Sequence, residues 1–324
     1  MSIQISTLLG SSLYGGTWWT GAQAARHTWP DHTRKDVMPP RSNPTLRQRR
    51  LGIELRRMRE LAGLGGTQLG RAVGMSPAQV TQMESGRIGI SADRLRVIAA
   101  ACSCTNEAFI DALATIITER GRGWWEEYRG TLSDDFLDVA ELEGHAQRLD
   151  LFTITFIPGL LQTGAYASAV FSRAFPTPAR HEIDLRTAFR MQRQLTVRSG
   201  ATPLTAFVHE AALRMQFSGP KVLVEQLGAL VEDSQKPGIS VRVVPFDIET
   251  LPGPSENFTY AHGPLPELDT VQMDTGHGSQ IYNSPPKLGF FREILTHMGS
   301  VALSQDESRG FIERVKEETE RKHG

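Results

Sequence analysis

A chain of 324 residues, 40% hydrophobic and 22% charged with a formal net charge of −1, has the make-up of an ordinary globular protein, too long for one small domain and suited to two. No apolar run approaches the roughly 18 residues of a membrane helix. Cys102 and Cys104, with no other Cys and no nearby His, rule out a structural zinc site and read as a reduced, cytoplasmic pair. The small net charge hides a split. From Met38 to Cys104, eleven Arg and no Lys stand against four acids (Glu54, Glu60, Glu84 and Asp93), while residues 105–324 are net negative. Such a division suggests a polyanion-binding module joined to a part that is not one.

Residues 1–40 lack periodicity and read as a disordered extension, expected to be dispensable up to about residue 37. Ala22-Gln23-Ala24 has the small-x-small pattern of a signal cleavage site, but no basic segment precedes it, and Met38 is an alternative start. Residues 41–120 then read as five helices. From Arg47 to Ala62, Leu51, Leu55, Met58 and Ala62 recur at helical spacing among Arg47, Arg49, Arg50, Arg56, Arg57 and Arg59, which predicts an amphipathic helix with a basic exterior. A shorter helix over Thr67–Val73 is expected to stop at Gly74, a residue able to take the left-handed cap conformation. Ser76 then opens a third helix as its cap, with Pro77 in the first position and Gln79 in the third. Val80 and Met83 face inward, leaving Ala78, Gln79, Thr81 and Gln82 outside. A fourth helix follows from Ser91 and a fifth from Thr105 or Asn106.

Helix, short helix, tight turn, and a helix with a small polar outer face make up the layout of a helix-turn-helix. The run GMSPAQVTQMESG, with LRRMRELAGL before it, resembles the Xre (Cro/C1-type) DNA-binding domain over about residues 46–104. The resemblance implies double-stranded operator DNA as partner. It implies base reading from the start and outer face of the third helix, here Ser76, Pro77, Ala78, Gln79, Thr81 and Gln82. Of these, Gln82 is the candidate for a bidentate amide contact to adenine. It also implies a phosphate-proximal Arg87 and a structural pair between Arg59 and Glu84. Where the family opens its second helix with Thr or Ser followed by Gln, this chain has Gly65 and Gly66. The cap and one phosphate contact are then expected to be missing, unless the helix starts two residues later with Thr67 as cap and Gln68 substituting at the phosphate.

Residues 121–324 read as a mixed α/β regulatory or partner-binding domain, giving an α+β two-domain chain. Trp124, Trp125 and Tyr128 suggest either a ligand or partner platform or packing at the domain junction. Stretches 150–159, 202–210, 238–246, 257–263 and 270–276 read as strands rich in Thr, Val, Ile and Phe, and 181–200, 220–235, 285–303 and 304–322 as helices. Trp-Trp-x-x-Tyr, PGLLQTGAYA, a helix with Arg190, Arg193 and Gln194, HEAALR, EQLGAL and VRVVPF follow in the order found in another family. This is the uncharacterised domain that follows the Xre domain in many actinobacterial antitoxin-like regulators. That resemblance covers roughly residues 124–318 and implies a regulator, often with a small protein partner encoded nearby.

Catalytic signals are weak. His209-Glu210 opens like H-E-x-x-H, but Leu213 stands where the second His is needed. Asp274-Thr275-Gly276 is a single copy of an aspartic-protease-like triplet, and the sequence leaves open whether His262 and His277 approach in space. The expected function is a cytoplasmic, homodimeric Xre-type transcriptional regulator without catalytic residues, metal, cofactor or membrane attachment. Its alternatives are an antitoxin-like protein that mainly binds a small partner, and a DNA-tethered enzyme.

Overall fold

Side-chain caps written into the sequence start four of the first five helices. The computed structural model describes residues 43–119, 123–249, 256–275 and 278–323, so the extension expected over residues 1–40 lies outside the described residues. Helix α1 (Leu46–Leu61) begins at Thr45, whose hydroxyl accepts the Gln48 backbone N–H while the Gln48 side chain accepts from the Thr45 N–H. Ser76 caps α3 (Pro77–Glu84) in the same manner, while Ser91 and Asn106 cap α4 (Ala92–Ala101) and α5 (Glu107–Thr118) by accepting the Arg94 and Phe109 backbone N–H. The second helix has no side-chain cap. Helix α2 (Gly66–Val73) starts one residue earlier than Thr67, with Gly65 as cap, and the Gln68 side-chain carbonyl reaches back to accept the Gly65 N–H at 2.6 Å. Leu55, Met58, Leu69, Val73, Val80, Met83, Leu95, Ile98 and Leu113 close these helices around one core.

A 3-10 turn (Trp124–Tyr128) leads to α6 (Asp134–His145) and β1 (Arg148–Thr153). The chain continues through α7 (Gly164–Ser172), α8 (Arg180–Arg198), β2 (Leu204–His209), α9 (Glu210–Arg214), α10 (Pro220–Asp233) and β3 (Ile239–Val244). It ends with β4 (Phe258–His262), β5 (Thr270–Thr275), β6 (Gly278–Tyr282), α11 (Pro285–Val301) and α12 (Gln305–His323). The strand expected over 150–159 stops at Thr153, ahead of a 3-10 turn at Gly159–Leu161.

The strands form one six-stranded sheet in the order β3-β2-β1-β4-β5-β6, with β1, β2 and β3 parallel and β4, β5 and β6 antiparallel. Both faces are covered, as a sheet with parallel strands requires. Leu149, Leu151, Ala206, Val208, Val241 and Val243 pack against Leu223, Leu227 and Leu230 of α10 and Ile312 and Val315 of α12. On the opposite face Phe152, Phe207, Phe258, Tyr260, Val271 and Met273 pack against Leu288, Phe291, Ile294 and Met298 of α11.

The basic face of α1 is not a solvated exterior. Arg49 pairs with Asp138 of α6, and the Arg47 backbone N–H donates to Glu141 at 3.0 Å. Arg50 donates to the Glu267 carbonyl at 2.6 Å and Arg57 to the Asn283 carbonyl at 3.0 Å, and both guanidiniums also flank the buried Glu54 carboxylate. The sheet half thus presents carboxylates and free carbonyls to guanidiniums that the spacing had assigned to solvent. Leu268, from the β4–β5 connection, joins the core of the first five helices.

Candidate nucleic-acid interface

A left-handed residue and a close backbone approach set the angle between α2 and α3. Gly74 takes the left-handed conformation at φ 68°, and a Cβ on Gly70 would stand 2.5 Å from the Met75 carbonyl oxygen, so the turn needs glycine at both positions. Ser76 then caps α3. Its hydroxyl accepts the Gln79 N–H at 3.2 Å, and the Gln79 side-chain carbonyl accepts the Ser76 N–H at 2.8 Å. Val80 and Met83 are each 1% exposed and anchor the inner face. Side chains of that size contribute about 1.5–3 kcal/mol each on burial.

Helix α1 braces α3 from behind. Arg59 grips Glu84 with both edges of its guanidinium, Nε to Oε1 at 2.6 Å and Nη2 to Oε2 at 2.9 Å, and its Nη1 donates to the Leu64 carbonyl at 2.8 Å. The bond to Glu84 raises the Arg59 pKa above its ordinary value. Beside this pair the backbones nearly touch. A Cβ on Gly52 would lie 2.4 Å from the Glu84 carbonyl oxygen, and one on Gly86 would lie 2.7 Å from that of Gln48.

What this leaves outside is small and uncharged. Ser76, Pro77, Ala78, Gln79 and Thr81 are exposed and Gln82 is half-buried. Ser76 and Gln79 spend one polar atom each on the cap, and the Thr81 hydroxyl donates to the Pro77 carbonyl at 3.1 Å. Among the described residues, the Gln82 side-chain amide has no such bond. Gln68 is exposed on α2, its carbonyl oxygen held by the Gly65 N–H, and Arg87 is exposed just past the left-handed Gly86. Two exposed arginines escaped the sequence reading: Arg71 in the last turn of α2, and Arg94 of α4, which donates to the Val73 carbonyl at the α2 C-terminus. A basic residue in the last turn of a short helix was the available signal for the first. No sequence signal pointed to the second.

Other singled-out residues hold structure. Trp125 is buried, and Trp124 and Tyr128 each lie 4.9 Å, ring to ring, from Phe189. The Tyr128 hydroxyl donates to Gln192 at 3.0 Å, so the three aromatics form a cluster between α6 and α8. On α8, Arg193 clasps Glu143, Arg190 donates to Gln162 and stacks over Phe171, and buried Gln194 donates to the Gly159 and Gln162 carbonyls. Burial pushes the Arg190 guanidinium down to about 9. His209 accepts the Ala211 N–H as the cap of α9, Glu210 pairs with Arg214, and His262 meets Asp150 at 2.7 Å. Asp274 accepts from Gln272 at 2.6 Å, while Gly276 and His277 lie outside the described residues. Among the described residues no three His, Cys, Asp or Glu side chains group to hold a metal, and no helix is long and apolar enough to cross a membrane.

The family model described as "Domain of unknown function (DUF5753)" matches residues 136–314, more than half of the chain. The chain belongs to the DUF5753 family. A second model, described as "Helix-turn-helix domain", matches residues 50–113, which span α2, α3, α4 and the brace on α1. A search of curated proteins returns no match. This DUF5753 protein therefore joins an Xre-like helix-turn-helix to a sheet-containing domain.

Proposed function

We propose that the protein is a sequence-specific DNA-binding transcriptional regulator of the Xre type, acting in the cytoplasm as a homodimer, with α3 lying in the major groove of its operator. The observation that carries this reading is the outer face of α3. An uncharged row from Ser76 through Gln82, flanked by exposed Arg87 and Arg71, stands on a helix fixed from behind by an ion pair and two glycine contacts. Short side chains let the helix approach base edges, and arginines at the margins meet phosphates. Residues 41–120 form the DNA-binding part and residues 121–324 the regulatory or partner-binding part.

The test has two stages. Genome-wide footprinting of the tagged full chain should yield a short recurring site with two symmetric halves about one helical turn apart. On that site Gln82→Ala should cost about 1–3 kcal/mol and relax preference at one base pair per half-site. Arg87→Ala should weaken specific and nonspecific DNA alike and reduce the salt slope by about one, because a phosphate contact releases a counterion and reads no base. Should neither substitution change binding, α3 is not the reading head.

A further inference from the structure

Between α1 and α5 on one side, and the end of α6 with strands β4 and β6 on the other, lies a cavity of about 590 Å³. That volume falls within the range of small-molecule sites. Its walls are mainly apolar, from Leu46, Ile53, Ile116, Leu142, Leu268 and Ile281. Ile53 stands 36% exposed in the middle of α1, a large apolar side chain at the cavity wall.

The charges on the wall are unequal in how far they are satisfied. Glu119 pairs with Arg47, whereas the buried Glu141 accepts a neutral donor, the Arg47 backbone N–H, and burial raises its pKa. Arg50 shares the Glu54 carboxylate with Arg57, and the buried Asp269 carboxylate, which accepts from the Tyr260 hydroxyl and the Gly263 N–H, lies close enough to act on Arg50. The Arg50 side chain is 8% exposed, and its Nε is buried without a hydrogen-bond partner. A buried guanidinium donor without an acceptor, at an apolar wall, calls for an acceptor head group such as a carboxylate attached to an apolar body.

We propose that this cavity binds a small amphipathic organic acid, its head group received at Arg50 and its body between Ile53, Ile116 and Leu268, and that occupancy changes operator affinity. The second half of the proposal rests on the regulator reading; the first does not. The coupling is mechanical. Helix α1 forms one wall of the cavity with Arg50 and Ile53, and with Gly52 and Arg59 it presses on the Glu84 end of α3. A ligand that shifts α1 shifts the reading head with it.

Binding is tested on the full chain without DNA, using 8-anilinonaphthalene-1-sulfonate as a fluorescent probe and decanoate or 1-decanol as competitor. Saturable binding at one probe per chain is expected, weakened about tenfold or more in the cavity-filling variants Ile53→Trp and Ala112→Phe, each checked for native circular dichroism. Decanoate should displace the probe about tenfold better than 1-decanol. No saturable binding, or undiminished binding in a folded cavity-filling variant, overturns the site. Equal displacement by the two competitors overturns the anionic head, and this comparison needs no variant if both fail to fold. In the second arm, saturating decanoate should change operator affinity about fivefold or more in the wild type and not in Ile53→Trp. An unchanged affinity with intact probe binding overturns the coupling alone, and absence of any operator overturns the regulator reading while leaving the site standing.

Discussion

Arg59 and Glu84 decide how firmly the reading helix is held. Each side chain is 12% exposed and each satisfies the other bidentately, so removing one partner strands a charge in a largely dry place. Glu84→Ala should cost about 3 kcal/mol or more. Arg56, paired with Glu60 at the surface and 62% exposed, is the control, and Arg56→Ala should cost less than about 1 kcal/mol. Urea unfolding of the two variants measures the difference, and equal midpoints would show that the pair contributes nothing beyond a surface contact. The same residue type shows where sequence reasoning stops. A guanidinium is a planar donor that accepts a phosphate or a carboxylate equally well. Nothing in the spacing of Arg47, Arg49, Arg50 and Arg57 told which anion would face them. Arg59 could be placed because a family pattern named its partner, whereas Arg49 could not, because Asp138 lies 89 residues away in a helix the sequence reading had left out.

Elements fixed by their own neighbours were legible, and those fixed by distant ones were not. Ser76 with Gln79 and Ser91 with the Arg94 backbone are bonds within one turn, so helices α3 and α4 could be read from consecutive letters. Helix α7, made of Gly, Ala and Ser between three larger residues, has little periodicity of its own and is held by α8 and α10. Strand β6 is five residues at the sheet edge, paired only with β5, and its sequence GSQIY does not alternate. The glycines give a test of how closely elements are packed. A methyl group on Gly52 meets the Glu84 carbonyl at 2.4 Å, with backbone on both sides and no flexible side chain to move aside. Gly52→Ala should therefore destabilise by about 1–3 kcal/mol or more through overpacking and tilt α3 away from α1, lowering operator affinity as well as stability. Gly289, inside α11 with nothing within 4 Å of an added methyl, gives the opposite expectation. Gly289→Ala should stabilise by about 0.5–1 kcal/mol by restricting the unfolded chain. Thermal melts of both variants check the pair, and the tight-packing argument fails if Gly52→Ala is neutral.

At the scale of the whole molecule, the charge split that pointed to a polyanion has a second reason. Helix α1 carries part of the positive excess and turns it toward Asp138, Glu141 and the Glu267 and Asn283 carbonyls, while other arginines, Arg71 and Arg87 among them, stay exposed on the helix-turn-helix, where the proposed regulator would meet phosphates. The helical part and the sheet part thereby share a part-buried ion pair, charged hydrogen bonds to carbonyls and one apolar residue, Leu268, and should unfold together. Calorimetry of the full chain is expected to show a single transition. In the double variant Arg49→Ala/Arg57→Ala, two charged hydrogen bonds across the junction are lost, about 1.5–3 kcal/mol each. That sum is comparable to the whole stability of a small domain, about 5–15 kcal/mol. The single peak should then split, the lower-melting component being the helical part, whose core is the smaller. Two transitions already present in the wild type would mean that the contacts along α1 do not couple the two parts. A shift of operator affinity transmitted through α1 would then have no rigid path to follow.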